Sequence, residues 1–225
     1  MATTRLDRDQ VVEAALRLLN EVGLEGLTLR RIAKELNVQA PALYWHFKNK
    51  QALLDEMATA MFRRLAEGAP QLDGATWQEH LIASQRTLRR ALLGYRDGAK
   101  VFSGTRFTGT PHAAPMEAQL RAFVDAGFTP GAAARASFLA YTFTLGFVIE
   151  EQAVEPLPGE RAPGYDVAER TALIGPDYPL TAAVGADLFE DYEARFEEAL
   201  RTIVAGIEAT LGPARPGGPG GTMTA

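Results

Sequence analysis

Apolar residues recur at intervals of three and four along nearly the whole chain, the spacing of one face of an α-helix. Asp7, with Gln10 three residues later, predicts a cap for the first helix, and Gly23 predicts its end. The apolar face between them comprises Val12, Ala15, Leu16, Leu19 and Val22. No segment of the sequence shows the apolar/polar alternation between turns that indicates paired β-strands. The sequence therefore predicts an all-α fold.

Residues 28–47, TLRRIAKELNVQAPALYWHF, contain two short predicted helices in close succession. Thr28 caps the first, Asn37 makes a tight break, and Pro41 suits the first turn of the second. Two helices joined in this way form a helix-turn-helix, whose second helix can enter the major groove of DNA. Its small core is expected from Ile32, Leu36, Val38 and Leu43.

The rest of the chain predicts a larger helical body. Further helices are expected over 49–67, from Thr76 to about Tyr95, up to Gly127, from Thr129 to about Gln152, and over 187–211. Five prolines between residues 156 and 179 predict a long irregular loop over 153–180. The tail over 212–225 is rich in glycine and proline and is expected to be disordered.

Charge is distributed unevenly along the sequence. Residues 1–50 hold eight Lys/Arg and six Asp/Glu, a net charge of +2, whereas the remainder holds 15 and 22, a net charge of −7. A mildly basic head on an acidic body suits a protein that contacts a polyanion at one end only. Solvated helix faces often carry the same bias, so the charge alone does not decide the function.

Several classes of function lack their sequence signatures. The chain has no cysteine, which excludes disulfides, zinc-thiolate sites and thiol nucleophiles. The histidines, His46, His80 and His112, have no metal-ligand spacing, and no motif of hydrolases or nucleotide-binding enzymes occurs. The polar N-terminus lacks a signal-peptide core, and the most apolar stretch, residues 136–149, is too short to cross a bilayer. We expect a cytoplasmic protein that is not an enzyme, has no cofactor or metal and contacts no membrane. A helical module that only sequesters a ligand is the alternative.

The stretch LTLRRIAKELNVQAPALYWHFKNKQALLD, residues 27–55, closely resembles the DNA-binding end of the TetR family of transcriptional regulators. The segments RALLGYRDGAK (90–100), EAQL (117–120) and FTLGFVIEEQ (143–152) are similar to the tetracycline-repressor class of that family. The resemblance covers roughly residues 5–152.

The resemblance implies a three-helix DNA-binding head with its connecting helix over 1–67, and a ligand-binding and dimerisation body over 68–211. It further implies a homodimeric repressor that binds a palindromic double-stranded operator and leaves it when a small molecule binds. The last helix carries an apolar stripe that would join residues 130–151 in a dimer bundle, and packing on its own core is the alternative. The stripe consists of Phe189, Tyr192, Phe196, Leu200, Ile203, Ile207 and Leu211.

DNA contacts are implied for residues around the second helix of the motif. The implied contacts are Arg30, Pro41, Tyr44, Trp45, His46 and Lys50. Tetracycline repressors read bases with Gln and Thr where this chain has Ala40 and Ala42. Alanine can at most touch a thymine methyl group, so we expect a different operator, read by Gln39 or Arg30. Packing between helices is the alternative role for Tyr44 and Trp45.

The effector site resembles that of the tetracycline-repressor class only in part. The retained positions are Thr105, Arg106, Gln119 and Glu150. Phe102 replaces the metal-binding His, and Ala66, Ser84 and Phe107 replace the drug-binding His, the Asn and the Pro. Phenylalanine offers magnesium no ligand atom. We therefore expect a largely apolar effector in a pocket lined by Leu88, Phe102, Phe107, Phe143 and Phe147.

Alternatives remain for this effector site. The tetracycline–magnesium complex is the alternative effector. Phe143 and Phe147 would otherwise be ordinary core residues, and Arg106 and Glu150 a solvated surface pair. The segment 95–106, YRDGAKVFSGTR, is predicted to relay binding to the head, with Gly98 and Gly104 allowing it to rearrange.

Overall fold

The computed structural model describes residues 6–70 and 72–213. These residues form twelve helices and no strand, which confirms the predicted all-α fold. The predicted disorder of the tail falls on residues 214–225, which lie outside the described residues. The helices are α1 (Arg8–Gly26), α2 (Leu29–Glu35), α3 (Ala40–Tyr44), α4 (Lys50–Glu67), α5 (Trp77–Leu93), α6 (Gly98–Phe102), α7 (Ala113–Asp125), α8 (Pro130–Val154), α9 (Val167–Ile174), α10 (Pro179–Ala183), α11 (Gly185–Phe189) and α12 (Tyr192–Thr210).

The head consists of α1 to α3, and its helix ends are fixed by local side chains. Asp7 and Gln10 form the predicted capping box, and Thr28 accepts a hydrogen bond from the backbone N–H of Arg31. Gly23 interrupts α1 with a φ of 69°, so the regular helix ends there as the sequence predicts. Asn37 turns the chain between α2 and α3 with a φ of 52°. The helix starts and the turn of the head are therefore specified by residues of the head itself.

The head and the body share one apolar core. Ile32, Leu43 and Phe47 are almost fully buried in the head. The same cluster continues through α4 and reaches Leu88 and Val148 in the body. A second cluster at the other end of the body joins α5, α7, α8 and α12. The fourth helix is thus a structural part of both regions.

Helix α8 is longer than its most apolar stretch. Its 25 residues make it the one helix in the described part of the chain that is long and apolar enough to cross a membrane. The apolar stretch 136–149 is only part of this helix, because alanines before residue 136 and polar residues after 149 extend it. It packs against α5, α6, α7 and α12 and buries Thr144, Glu151 and Gln152, which is the environment of a core helix.

Three further segments differ from the sequence-based expectations. Residues 98–102 form α6 inside the segment predicted as a flexible relay. The region expected to be an irregular loop contains α9 and the start of α10. The last helix begins at Tyr192 rather than near Asp187, because Asp191 has a φ of 48° and separates α11 from α12. Its apolar stripe is buried most fully at Phe196 and Leu200.

Candidate nucleic-acid interface and ligand cavity

Helix α3 has one buried side and one exposed side. Leu43 is fully buried, and Phe47, just after the helix, is 1% exposed. Tyr44 and Trp45 are 56% and 90% exposed. This exposed aromatic surface is a candidate contact site. The exposed aromatic pair argues against the alternative that these residues pack between helices.

The predicted DNA-contacting residues surround this exposed side. Arg30, Gln39 and Pro41 are exposed, whereas Ala40, Ala42 and His46 are half-buried. Lys50 is also half-buried, and its Nζ donates a 2.8 Å hydrogen bond to the carbonyl oxygen of Leu24. The ammonium of Lys50 thus stabilises the end of α1 in addition to any contact with a phosphate.

Arg8 and Glu56 were not predicted, yet they hold the end of α3 in place. Arg8 donates to the carbonyl oxygen of His46 at 2.9 Å, and its guanidinium lies 4.7 Å from the centre of the Phe47 ring. Glu56 pairs with Arg8 at 3.3 Å. No local motif joins residues so far apart in sequence, so the tertiary fold alone brings them together.

The other end of α1 contacts the turn between α5 and α6. The Asn20 side chain accepts a hydrogen bond from the Arg96 N–H at 2.9 Å, and Asp97 accepts one from the Leu24 N–H at 2.9 Å. Burial alone would raise the pKa of Asp97. The Leu24 N–H and the Lys100 ammonium outweigh it, so the pKa lies below its usual value. The head is therefore joined to the body through an ionised carboxylate.

Phe102 and Phe107 belong to an aromatic cluster beneath the loop that follows α6. The rings of Phe62 and Phe107 have their centres 4.8 Å apart, and those of Phe102 and Phe107 are 5.3 Å apart. Phe102 is only 3% exposed. Thr105 donates to the carbonyl oxygen of Phe102 at 2.9 Å, which holds the loop close to this cluster. The two predicted phenylalanines thus do come together.

Two other predicted residues line a cavity of about 670 Å³ between α4, α5 and α7. They are Ser84 and Gln119, and Ala66 lies in the same wall. The side-chain nitrogen of Gln119 is buried and has no hydrogen-bond partner. An unpaired buried amide is costly, which suits a site that a ligand's acceptor atom completes.

The remaining predicted ligand residues lie elsewhere. Phe143 and Phe147 pack on α12, with ring centres 5.7 and 5.2 Å from that of Phe196. Leu88 lies in the main core. Within one chain Phe143 and Phe147 therefore do not line a single pocket with Phe102 and Phe107, because α8 turns these two side chains towards α12.

Arg106 and Glu150 are both exposed, and no ion pair joins them within the described ranges. The backbone N–H of Arg106 donates to a carboxylate oxygen of Asp55 at 3.1 Å. The backbone at this position therefore fastens the loop to α4, while the guanidinium stays free to meet solvent or a ligand.

The body is held together by polar contacts between α5 and α8. Arg89 forms two hydrogen bonds with Glu151, at 2.8 and 2.6 Å, and a further contact with Glu193 of α12. Burial alone would lower the pKa of Arg89, but the two carboxylates outweigh it and raise that pKa above its usual value. Thr144 donates to Gln85 at 2.9 Å. These pairs fix the relative positions of α5, α8 and α12.

The position at which the family resemblance would place a metal ion lacks suitable ligand atoms. Phe102 is buried among aromatic rings. No group of three or more His, Asp or Glu side chains among residues 6–70 and 72–213 is arranged to hold a metal ion. A hard cation such as magnesium needs oxygen or nitrogen ligands, so these residues do not fit a magnesium site.

Two protein families match this chain. Residues 11–57 match the family described as bacterial regulatory proteins, tetR family, and residues 69–211 match the tetracyclin repressor-like C-terminal domain. The tetracycline repressor protein class A from transposon 1721 of Escherichia coli is 44% identical over 205 residues, which is 91% of this chain and 91% of the relative.

Two solved structures have the same fold over nearly the whole chain. A possible TetR family regulator from Streptomyces coelicolor A3(2) has a TM-score of 0.78 and 39% identity, covering 90% of this chain and 99% of that one. A TetR variant from Acinetobacter baumannii AYE in complex with minocycline has a TM-score of 0.71 and 34% identity, covering 92% and 98%. These relatives are regulators rather than enzymes.

Proposed function

The chain belongs to the TetR family of bacterial regulatory proteins, and from this premise we propose that it is a ligand-responsive transcriptional repressor. It binds a palindromic operator as a homodimer and leaves the DNA when a small, largely apolar effector occupies the body. Residues 1–67 form the DNA-binding head, 68–211 the ligand-binding and dimerisation body, and 212–225 a tail. The protein has no catalytic activity of its own and acts in the cytoplasm, where its operator lies.

The exposed side of α3 carries the DNA-binding part of this proposal. Trp45 is 90% exposed although Leu43, two residues earlier, is fully buried. Tyr44, Trp45 and His46 would contact the sugar–phosphate backbone, and Gln39 or Arg30 would reach base edges. Ala40 and Ala42 lack the hydrogen-bonding groups that would read a tetracycline operator, so the operator differs from that one.

Exposed apolar side chains on α8 support the homodimer. Phe138 and Leu139 are 65% and 48% exposed and lie in the middle of a long helix. A second copy packing its α8 and α12 on this surface would cover them. Two-fold symmetry would then present two copies of α3 about 34–36 Å apart, one turn of DNA, which requires a palindromic operator.

The cavity between α4, α5 and α7 supports a small-molecule effector. Its volume, about 670 Å³, suits a compound of several rings. The unpaired Gln119 nitrogen favours an effector with at least one acceptor oxygen. The tetracycline–magnesium complex is the second candidate, because a relative of 44% identity is a tetracycline repressor. The buried Phe102 side chain opposes it, since magnesium gains no ligand there.

Operator binding is tested by selecting duplexes from random-sequence DNA with the purified protein and then measuring retardation in gels. We expect a palindromic sequence to be enriched. Trp45→Ala is expected to abolish its retardation without changing the unfolding midpoint, because an exposed side chain contributes little to stability. Failure of the wild-type protein to retard any duplex at low salt refutes the proposal.

The effector proposal is tested by titrating the dimer with tetracycline, with and without magnesium. In both cases we expect a dissociation constant in the micromolar range or weaker. Nanomolar binding that depends on magnesium would replace the apolar effector with the second candidate. The same titration of Phe102→His provides the control, since this substitution restores a nitrogen ligand.

A further inference from the structure

A path of hydrogen bonds joins the loop after α6 to the end of α3. The Thr108 hydroxyl donates to Oε2 of Glu56 at 2.7 Å. The same oxygen accepts from Nη2 of Arg8 at 3.3 Å, and Nη1 of Arg8 donates to the carbonyl oxygen of His46 at 2.9 Å. Three side chains thus connect a loop of the body with the helix that faces DNA.

The three side chains of this path are not equally exposed. The Glu56 side chain is 12% exposed, whereas that of Arg8 is 49% exposed and Thr108 lies at the surface. Arg8 contacts the end of α3 twice, through the carbonyl oxygen of His46 and through the ring of Phe47. A helix end leaves carbonyl oxygens unpaired, and a guanidinium placed there fixes its orientation.

The body end of the path depends on the aromatic cluster. Phe107 precedes Thr108 directly and packs between Phe62 and Phe102. The backbone N–H of Thr108 also donates to the hydroxyl of Thr59 at 2.8 Å, which holds the loop on α4. A displacement of Phe107 that also moved the loop backbone would therefore move the hydroxyl that Glu56 accepts from.

We propose that Glu56 is a positioning residue for operator binding. With the loop docked on α4, Glu56 holds Arg8 against the end of α3 and keeps the helix in its DNA-binding orientation. Displacement of the loop at Phe107 withdraws the Thr108 hydroxyl, and Glu56 then holds Arg8 without the hydrogen bond that fixes its own position. This inference rests on the proposed function, since it assumes that α3 enters DNA.

The test measures the affinity of variant proteins for the selected palindromic duplex by fluorescence anisotropy at fixed salt. Thr108→Val removes the hydroxyl while keeping the size of the side chain, and Thr108→Ser retains the hydroxyl. Thr110→Val is the matched control, because Thr110 lies in the same loop and offers only its carbonyl oxygen, to Ala113, among the hydrogen bonds of the described residues. Glu56→Ala completes a double-mutant cycle, and circular dichroism checks the fold of each variant.

Thr108→Val is expected to weaken operator binding about three- to tenfold, as loss of a hydrogen bond to a charged group would. Thr108→Ser and Thr110→Val should stay within about twofold of the wild type. In the Glu56→Ala background, Thr108→Val should have no further effect. Unchanged affinity of Thr108→Val, or an equal loss with and without Glu56, overturns the inference while leaving operator binding by the wild type intact. Absence of binding by the wild type refutes the proposed function itself.

Discussion

Replacing Gln152 with methionine tests whether one buried amide holds α5, α6 and α8 together. The Gln152 side chain donates to the carbonyl oxygens of Leu92 at 3.2 Å and of Tyr95 at 2.7 Å. Its oxygen accepts from the N–H of Ala99 at 3.1 Å. A single side chain of α8 therefore caps the end of α5 and the start of α6. Methionine has nearly the same volume, so the substitution removes the hydrogen bonds without opening a large cavity.

The expected loss of stability depends on which groups keep a hydrogen-bond partner after Gln152 is replaced. The carbonyl oxygen of Leu92 still accepts from the Tyr95 N–H, and that of Tyr95 still accepts from the Gly98 N–H. Ala99 is fully buried, so its N–H loses its partner where water cannot replace it. One orphaned buried donor costs about 1–3 kcal/mol, and each weakened carbonyl adds about 0.5 kcal/mol. The free energy of unfolding should fall by about 2–4 kcal/mol.

Urea unfolding followed by circular dichroism measures this loss, with all variants at one protein concentration because the stability of a dimer depends on it. Gln78→Met is the matched control, since Gln78 is only half-buried in the first turn of α5. It should change the free energy of unfolding by less than about 0.5 kcal/mol. An equally small change for Gln152→Met would show that the amide is not the link between these helices.

Three further predictions test other parts of the structure. Arg89→Ala should reduce the free energy of unfolding by about 3–5 kcal/mol, because Glu151 is then left charged and buried, and adding Glu151→Leu should recover part of the loss in the same urea assay. Gly98→Ala should lower the thermal unfolding temperature, since a Cβ atom there would lie 2.2 Å from the carbonyl oxygen of Leu92; an unchanged temperature would contradict this packing. Asp97 has a lowered pKa, so its ionised form adds stability that is full above about pH 4 and is lost as pH falls further; the deficit of Asp97→Asn should accordingly be present at neutral pH and vanish in acid unfolding curves.

Helix starts and buried positions could be predicted from the sequence, because they depend on residues that are close together along the chain. Helix starts at Thr28, Asn49 and Thr76 follow from side-chain oxygens that accept a hydrogen bond from the N–H three residues later. The buried positions Ile32 and Leu43 follow from helical spacing. These signals lie within one or two turns of chain, so no knowledge of the fold is needed to find them.

Features that depend on distant partners were missed. Helix α6 has five residues and no side-chain cap at its start, and it is held by Gln152 of α8. Phe143 and Phe147 are spaced so that both could face one pocket. Their rings instead pack against Phe196 of α12, whose position the sequence does not reveal. Gly98 was expected to provide flexibility, yet it lies in regular helix and leaves room for the carbonyl oxygen of Leu92. Of the two glycines expected to let this segment rearrange, Gly98 and Gly104, Gly104 alone has a positive φ, 74°, the conformation that favours glycine.

Polar contacts that link the head to the body lie at opposite ends of α1. Arg8 begins the helix and Leu24 follows its end at Gly23, about 24 Å away at the rise of an α-helix. Arg8 is held by Glu56 and, through it, by the loop after α6, whereas Leu24 is held by Asp97 just before α6. A shift of α6 would therefore act on both ends of α1, and unequal shifts at the two ends would rotate the head. Because the proposed homodimer must fit two copies of α3 into grooves about one DNA turn apart, such a rotation would weaken operator binding.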